Sequence, residues 1–242
     1  MWHPQLDDLA DAFRVLALDL PGHGAMADVP FRLADASDAV GEVIDDAGGR
    51  AIVVGLSLGA YVGMHLAAGH PGRVAGLVLA NASAEPRSIA RRAPRTVGSY
   101  LLTAAGERLR GRAGATGGED APNLGSRATG MGAAEAPDSQ VPPATNGWLF
   151  TGGTRAMVTA LGETFIPRLA AYPGPSLLVN GEDDLLFRSG EAAFLAAARD
   201  GRLEVIPGCG HLVSEDQPAA FNAAVRRFAT GVYAPDGAPR PA

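Results

Sequence analysis

Short apolar runs alternate with stretches of helical spacing along the first third of this sequence, and that alternation leaves few folds open. Residues 14–20 (RVLALDL) form an apolar run ended by Pro21-Gly22-His23-Gly24, which reads as a buried strand running into a turn. Leu33, Ala36, Val40, Val43, Ile44 and Ala47 then recur at three- and four-residue steps, and Gly48-Gly49 supplies a stop, so an amphipathic helix is expected. Residues 51–56 give a second strand. Residues 57–68 keep Leu58, Tyr61, Val62, His65 and Leu66 at helical spacing, with Gly69 and Pro71 beyond, and residues 74–80 give a third strand. The pattern resumes later with strands at 176–179 and 203–206 and helices near 189–198 and 218–230. Strands that are apolar along their length and separated by helices imply a parallel sheet with right-handed crossovers and helices on both faces.

The middle of the chain breaks the rhythm. Residues 84–171 show no comparable alternation and include a Gly-, Ala- and Pro-rich stretch at 111–146, which reads as an inserted lid. The expected organisation is therefore 1–83 as the N-terminal part of one core, 84–171 as the lid, 172–230 as the C-terminal part of the core and 231–242 as a flexible tail. Hydrophobic residues at 47% and charged residues at 19% suit a folded chain. A formal net charge of -6 gives no general field to attract nucleic acid or an anionic membrane, so a small molecule is the expected partner; oligomeric state is left open. All 20 basic residues are Arg, which removes lysine-based catalysis. Cys209 stands alone, so no internal disulfide can form. The first thirteen residues hold three Asp and no basic residue, unlike a secretory leader, and a cytoplasmic location is expected. The uncharged window 51–69, with Gly55, Gly59 and Gly63, could pass for a membrane span, but its β-branched opening and its polar residues from Ser57 on divide it in two.

Chemistry concentrates at three loops. Gly55-Leu56-Ser57-Leu58-Gly59 matches G-x-S-x-G at a strand-to-helix junction, where a sharp turn would lift the serine hydroxyl above the sheet edge. A serine hydroxyl needs a base to take its proton and an acid to orient that base. His211 follows the strand at 203–206 in a Gly-rich turn, and Glu182, Asp183 and Asp184 follow the strand before it. In a parallel sheet all three loops open on one edge. Ser57 could instead be a helix cap and His211 an exposed turn residue, and Cys209 is a competing nucleophile. His3 and His23 lack acidic or Cys neighbours at metal-ligand spacing, and His65 and His70 read as helix-face and helix C-terminal residues, so no metal site is expected.

These residues resemble those of the serine-nucleophile α/β-hydrolase fold family. The matching segments are Asp19-Leu20-Pro21-Gly22-His23-Gly24, the elbow at 55–59, residues 175–184 (PSLLVNGEDD), residues 208–211 and residues 221–228 (FNAAVRRF). The resemblance points to its esterase, lactonase, carbon-carbon bond hydrolase and haloperoxidase-like members. It implies an α/β-hydrolase fold and a catalytic set of Ser57, Asp184 and His211, choosing Asp184 over its two acidic neighbours. The Leu58 N–H would serve as an oxyanion donor, and no cofactor would be needed. Read from the residues, Trp148, Phe150 and Phe165 either line an acyl pocket beneath the lid as substrate contacts or seat the lid on the core. The implied function is cleavage of an ester-like carbonyl in a small molecule through an acyl-enzyme. The family also carries earlier strands and a His-Gly segment that completes the oxyanion hole, without counterpart here. Met1-Trp2-His3-Pro4 resembles the residues just after that segment, so the natural start is expected upstream and the sheet is expected to be open between 14–20 and 51–56. The alternative is a non-catalytic protein of this fold that binds a ligand or partner, inactive for lack of a complete oxyanion hole.

Overall fold

A computed structural model describes residues 1–92 and 162–234. Four strands, β1 (Ala51–Leu56), β2 (Val74–Ala80), β3 (Pro175–Gly181) and β4 (Asp200–Ile206), pair in that order, and every pair is parallel. The described helices are α1 (His3–Leu9), α2 (Leu33–Asp46), α3 (Leu58–Gly69), α4 (Pro86–Arg92), α5 (Ile166–Ala171), α6 (Glu191–Ala197), α7 (Val213–Asp216) and α8 (Pro218–Tyr233).

The two-residue period of the strands sorts their side chains onto two cores. On one face Val53, Leu77, Leu79 and Leu178 pack with α2, α3, α5 and α6, through Leu33, Tyr61, Leu169 and Phe194 among others. On the other, Val54, Val78, Leu177 and Val179 pack with Leu9 of α1 and Phe221, Val225 and Phe228 of α8. β2 is buried along its whole length, as its apolar sequence requires. Helix α3 touches β1, β2, α2 and α5, which is why it is apolar nearly all round. The window 51–69 is thus a strand and a helix. Among the described residues no helix is long and apolar enough to cross a membrane.

Residues 14–20 correct the sequence reading, because they are irregular chain outside the sheet. Val15 packs on one core and Leu20 on the other, while Leu16 is largely exposed. Apolar content made the run look like a strand, but a strand also needs a neighbour to take its backbone hydrogen bonds. Among the described residues β1 pairs only with β2 and so stands at the edge of the sheet. Within the stretch read as lid, α5 packs against α3, with Leu169 buried.

Parallel pairing brings the strand ends level. Leu56 pairs with Ala80, Ala80 with Val179, and Gly181 with Ile206, so the loops that follow all four strands emerge along one edge.

Candidate active site

Ser57 lies between β1 and α3 with φ 51 and ψ -112, a left-handed backbone held by its N–H donating to the Ala80 carbonyl at 2.8 Å. The turn brings the start of α3 hard against the end of β1. A Cβ on Gly55 would stand 2.3 to 2.4 Å from the backbone of Gly59 and Ala60, so only glycine fits there, whereas a Cβ on Gly59 would meet nothing within 4 Å. The two glycines of the motif are therefore unequal.

The acid and the imidazole arrive from the next loops. Asp184 is buried, while Glu182 and Asp183 are exposed. The loop that holds Asp184 is tied to the turn after β4 by Asp183 N–H donating to the Cys209 carbonyl at 3.0 Å and Glu182 N–H to the Ile206 carbonyl at 2.8 Å. His211 Nδ1 stands 2.6 Å from Asp184 Oδ2, and its Nε2 stands 3.0 Å from Ser57 Oγ. With Nδ1–H donating to the carboxylate, Nε2 is left to accept from the hydroxyl. Burial alone would raise the Asp184 carboxyl, but the hydrogen bond and charge of His211, with the Asn81 amide and the Phe187 N–H, outweigh it and hold the group below the usual carboxylate range. The Phe187 ring lies 4.1 Å from the imidazole, centroid to centroid. A hydroxyl, an imidazole and a buried carboxylate in this sequence of contacts can pass a proton away from the oxygen as it attacks an electrophile.

Comparison with known proteins bears on the fold and the class of the chain. The Alpha/beta hydrolase family profile matches residues 1–224. The chain belongs to that family. It is an enzyme of the α/β-hydrolase type. A relative in Variovorax paradoxus, named "Putative carbamate hydrolase RutD", is 33% identical over 97% of this chain and 88% of its own length. A pimeloyl-acyl-carrier-protein methyl ester esterase of Edwardsiella ictaluri is 30% identical over 96% of this chain and 88% of its own. Among solved structures, a hydrolase from Pseudomonas aeruginosa superposes with a TM-score of 0.64 at 29% identity, covering 95% of this chain and 84% of that one.

Within this family architecture the other expected residues divide. Leu58 opens α3, so its N–H is among the four at a helix start that lack an intrahelical acceptor. Of the two readings of Phe165, its packing favours the seat on the core: it is 0% exposed, with its ring centroid 4.5 Å from that of Tyr61 and tilted by 41°. Its backbone N–H and that of Ile166 donate to the Glu85 carboxylate, which seats this end of the inserted stretch beside its beginning. Trp148 and Phe150 lie outside the described residues. The Cys209 thiol is buried, donates to the Ile206 carbonyl, and is pushed up by burial and then by Asp216, the reverse of what a thiolate nucleophile needs. Sequence reasoning missed Phe187 and Asn81. A polar residue directly after the all-apolar β2, on the edge where parallel-sheet sites open, was the available signal for Asn81.

Proposed function

We propose that the chain is a serine hydrolase that cleaves an ester-like carbonyl, such as a carboxylic ester or lactone, through an acyl-enzyme. Ser57 Oγ attacks the carbonyl carbon while His211 Nε2 takes its proton, and Asp184 steadies the imidazolium. The tetrahedral intermediate collapses as His211 returns the proton to the departing alkoxide. Water activated by the same imidazole then attacks the acyl carbon and releases the carboxylic acid. The Leu58 N–H faces the developing oxyanion as one donor. In this reading residues 84–171 cover the site as a lid, with Trp148 and Phe150 as substrate-contacting candidates.

What carries the proposal is the continuous hydrogen-bonded line from Ser57 Oγ through His211 to Asp184, at 3.0 and 2.6 Å. The names of the relatives, a carbamate hydrolase and a methyl ester esterase, are consistent with acyl chemistry at such a centre. The test is hydrolysis of p-nitrophenyl acetate together with labelling by a fluorophosphonate. Ser57→Ala is expected to abolish both. Undiminished hydrolysis in that variant rejects Ser57 as nucleophile, and a folded wild-type chain that neither hydrolyses nor labels points to the non-catalytic ligand-binding alternative.

A further inference from the structure

We propose that Asn81 is a positioning residue for hydrolysis, whose side-chain amide locks the Asp184 carboxylate and the His211 turn into one arrangement. The proposal rests on the roles given above to Ser57, His211 and Asp184.

Asn81 follows the last residue of β2, is 0% exposed, and has φ 48, a left-handed backbone that Asn tolerates better than most residues. Its N–H donates to the Val179 carbonyl at 2.9 Å, which fixes its backbone to β3. Nδ2 donates to Asp184 Oδ2 at 2.6 Å and to the Gly210 carbonyl at 3.0 Å, and Oδ1 accepts from the Gly181 N–H at 3.4 Å. One amide thus spans the end of β3, the acidic loop and the residue before His211. Close approach is built into the same spot, because a Cβ on Gly181 would lie 2.2 Å from the Gly210 carbonyl oxygen.

The choice of acceptor is what points beyond architecture. Asp184 Oδ2 receives both Asn81 Nδ2 and His211 Nδ1, so the amide sets the rotation of the carboxylate that orients the imidazole. The elbow joins the same assembly, since Ser57 N–H is bonded to the carbonyl of Ala80, the residue before Asn81. A neutral donor suits this position, because a carboxylate would set a second anion against Asp184.

The experiment compares the full chain with Asn81→Gly, Asn81→Asp and Ser57→Ala, using p-nitrophenyl acetate and proton NMR of the His211 Nδ1–H resonance. Glycine accepts the left-handed backbone, so Asn81→Gly removes the amide without adding strain. It is expected to lower kcat roughly 10- to 100-fold with KM changed by less than about two-fold, and to broaden or erase the downfield imidazole resonance. Asn81→Asp is expected to move the acid limb of kcat/KM to higher pH, because added negative charge favours the imidazolium. Wild-type kcat and an intact resonance in folded Asn81→Gly overturn the proposal even when Ser57→Ala is inactive. Should Asn81→Gly fail to fold, a wild-type pH profile and kcat in Asn81→Asp overturn it instead. Hydrolysis surviving Ser57→Ala overturns the underlying reading of Ser57 and leaves a distinct signature.

Discussion

Replacing each glycine of the elbow by alanine should have opposite effects on stability, and the structure supplies the size of the difference. At Gly55 the added methyl meets Gly59 C at 2.3 Å and Ala60 N and Gly59 O at 2.4 Å, against an ordinary contact of 3.4 Å or more, so the overlap is about 1 Å. All three atoms are backbone at the entrance to α3, where no side chain can rotate away. Overpacking of this kind costs typically 1–3 kcal/mol, and rigid neighbours place Gly55→Ala at about 3 kcal/mol or above. In a chain of this size that corresponds to a fall in Tm of roughly 6–12 °C. Gly59→Ala meets nothing within 4 Å and sits inside α3, where alanine is favoured over glycine by about 0.5–1 kcal/mol. Urea unfolding of both variants beside the wild type, checked for equal m values, reads the contrast directly. Equal stabilities for the two variants, or a stable Gly55→Ala, would refute the claim that close approach at residue 55 builds the elbow.

Three further outcomes are expected. The Asp184 carboxyl is held below its usual range in the fold, so its contribution to stability is present above about pH 4 and is lost as pH falls through the depressed value. Asp184→Asn should therefore be less stable than wild type near neutrality and show a shallower decline on the acid side, as measured by unfolding across pH. Glu85→Gln loses the charge on three hydrogen bonds to the backbone of Phe165 and Ile166, which should destabilise the chain by about 1–3 kcal/mol in urea titration. Phe165→Ala empties a fully buried site against Tyr61 and should cost about 3–5 kcal/mol by the same measurement; a loss below about 1 kcal/mol would return Phe165 to the substrate side.

Much of the fold was legible in the sequence because its signals are local. The apolar runs of β1 to β3, the short alternating stretch at 203–206 in β4, the helical spacing of α2, α3 and α8, and the turn residues that end them each depend on a few neighbours along the chain. Ser57 was legible for the same reason: its motif sits on a strand-to-helix junction that the sequence displays. Asp184 and His211 followed from their places after the last two strands, although the residues alone left Glu182 and Asp183 as equals.

What tertiary structure decided depends on partners distant in sequence. Residues 14–20 have the composition of a strand, yet they stay outside the sheet although β1 is paired on one side alone among the described residues, because apolar content does not supply the register that pairing needs. Phe165 could be read from the sequence either as pocket lining or as a seat on the core, and only its packing against Tyr61 favours the second. Gly55 and Gly59 are identical letters whose different demands come from how closely β1 and α3 approach. Asn81 reads as an ordinary polar residue until β2, β3 and β4 lie side by side, because only their parallel register brings Asp184 and Gly210 within reach of one amide. Local pattern marked most of the elements that form; the pairing of those elements decided which side chains meet.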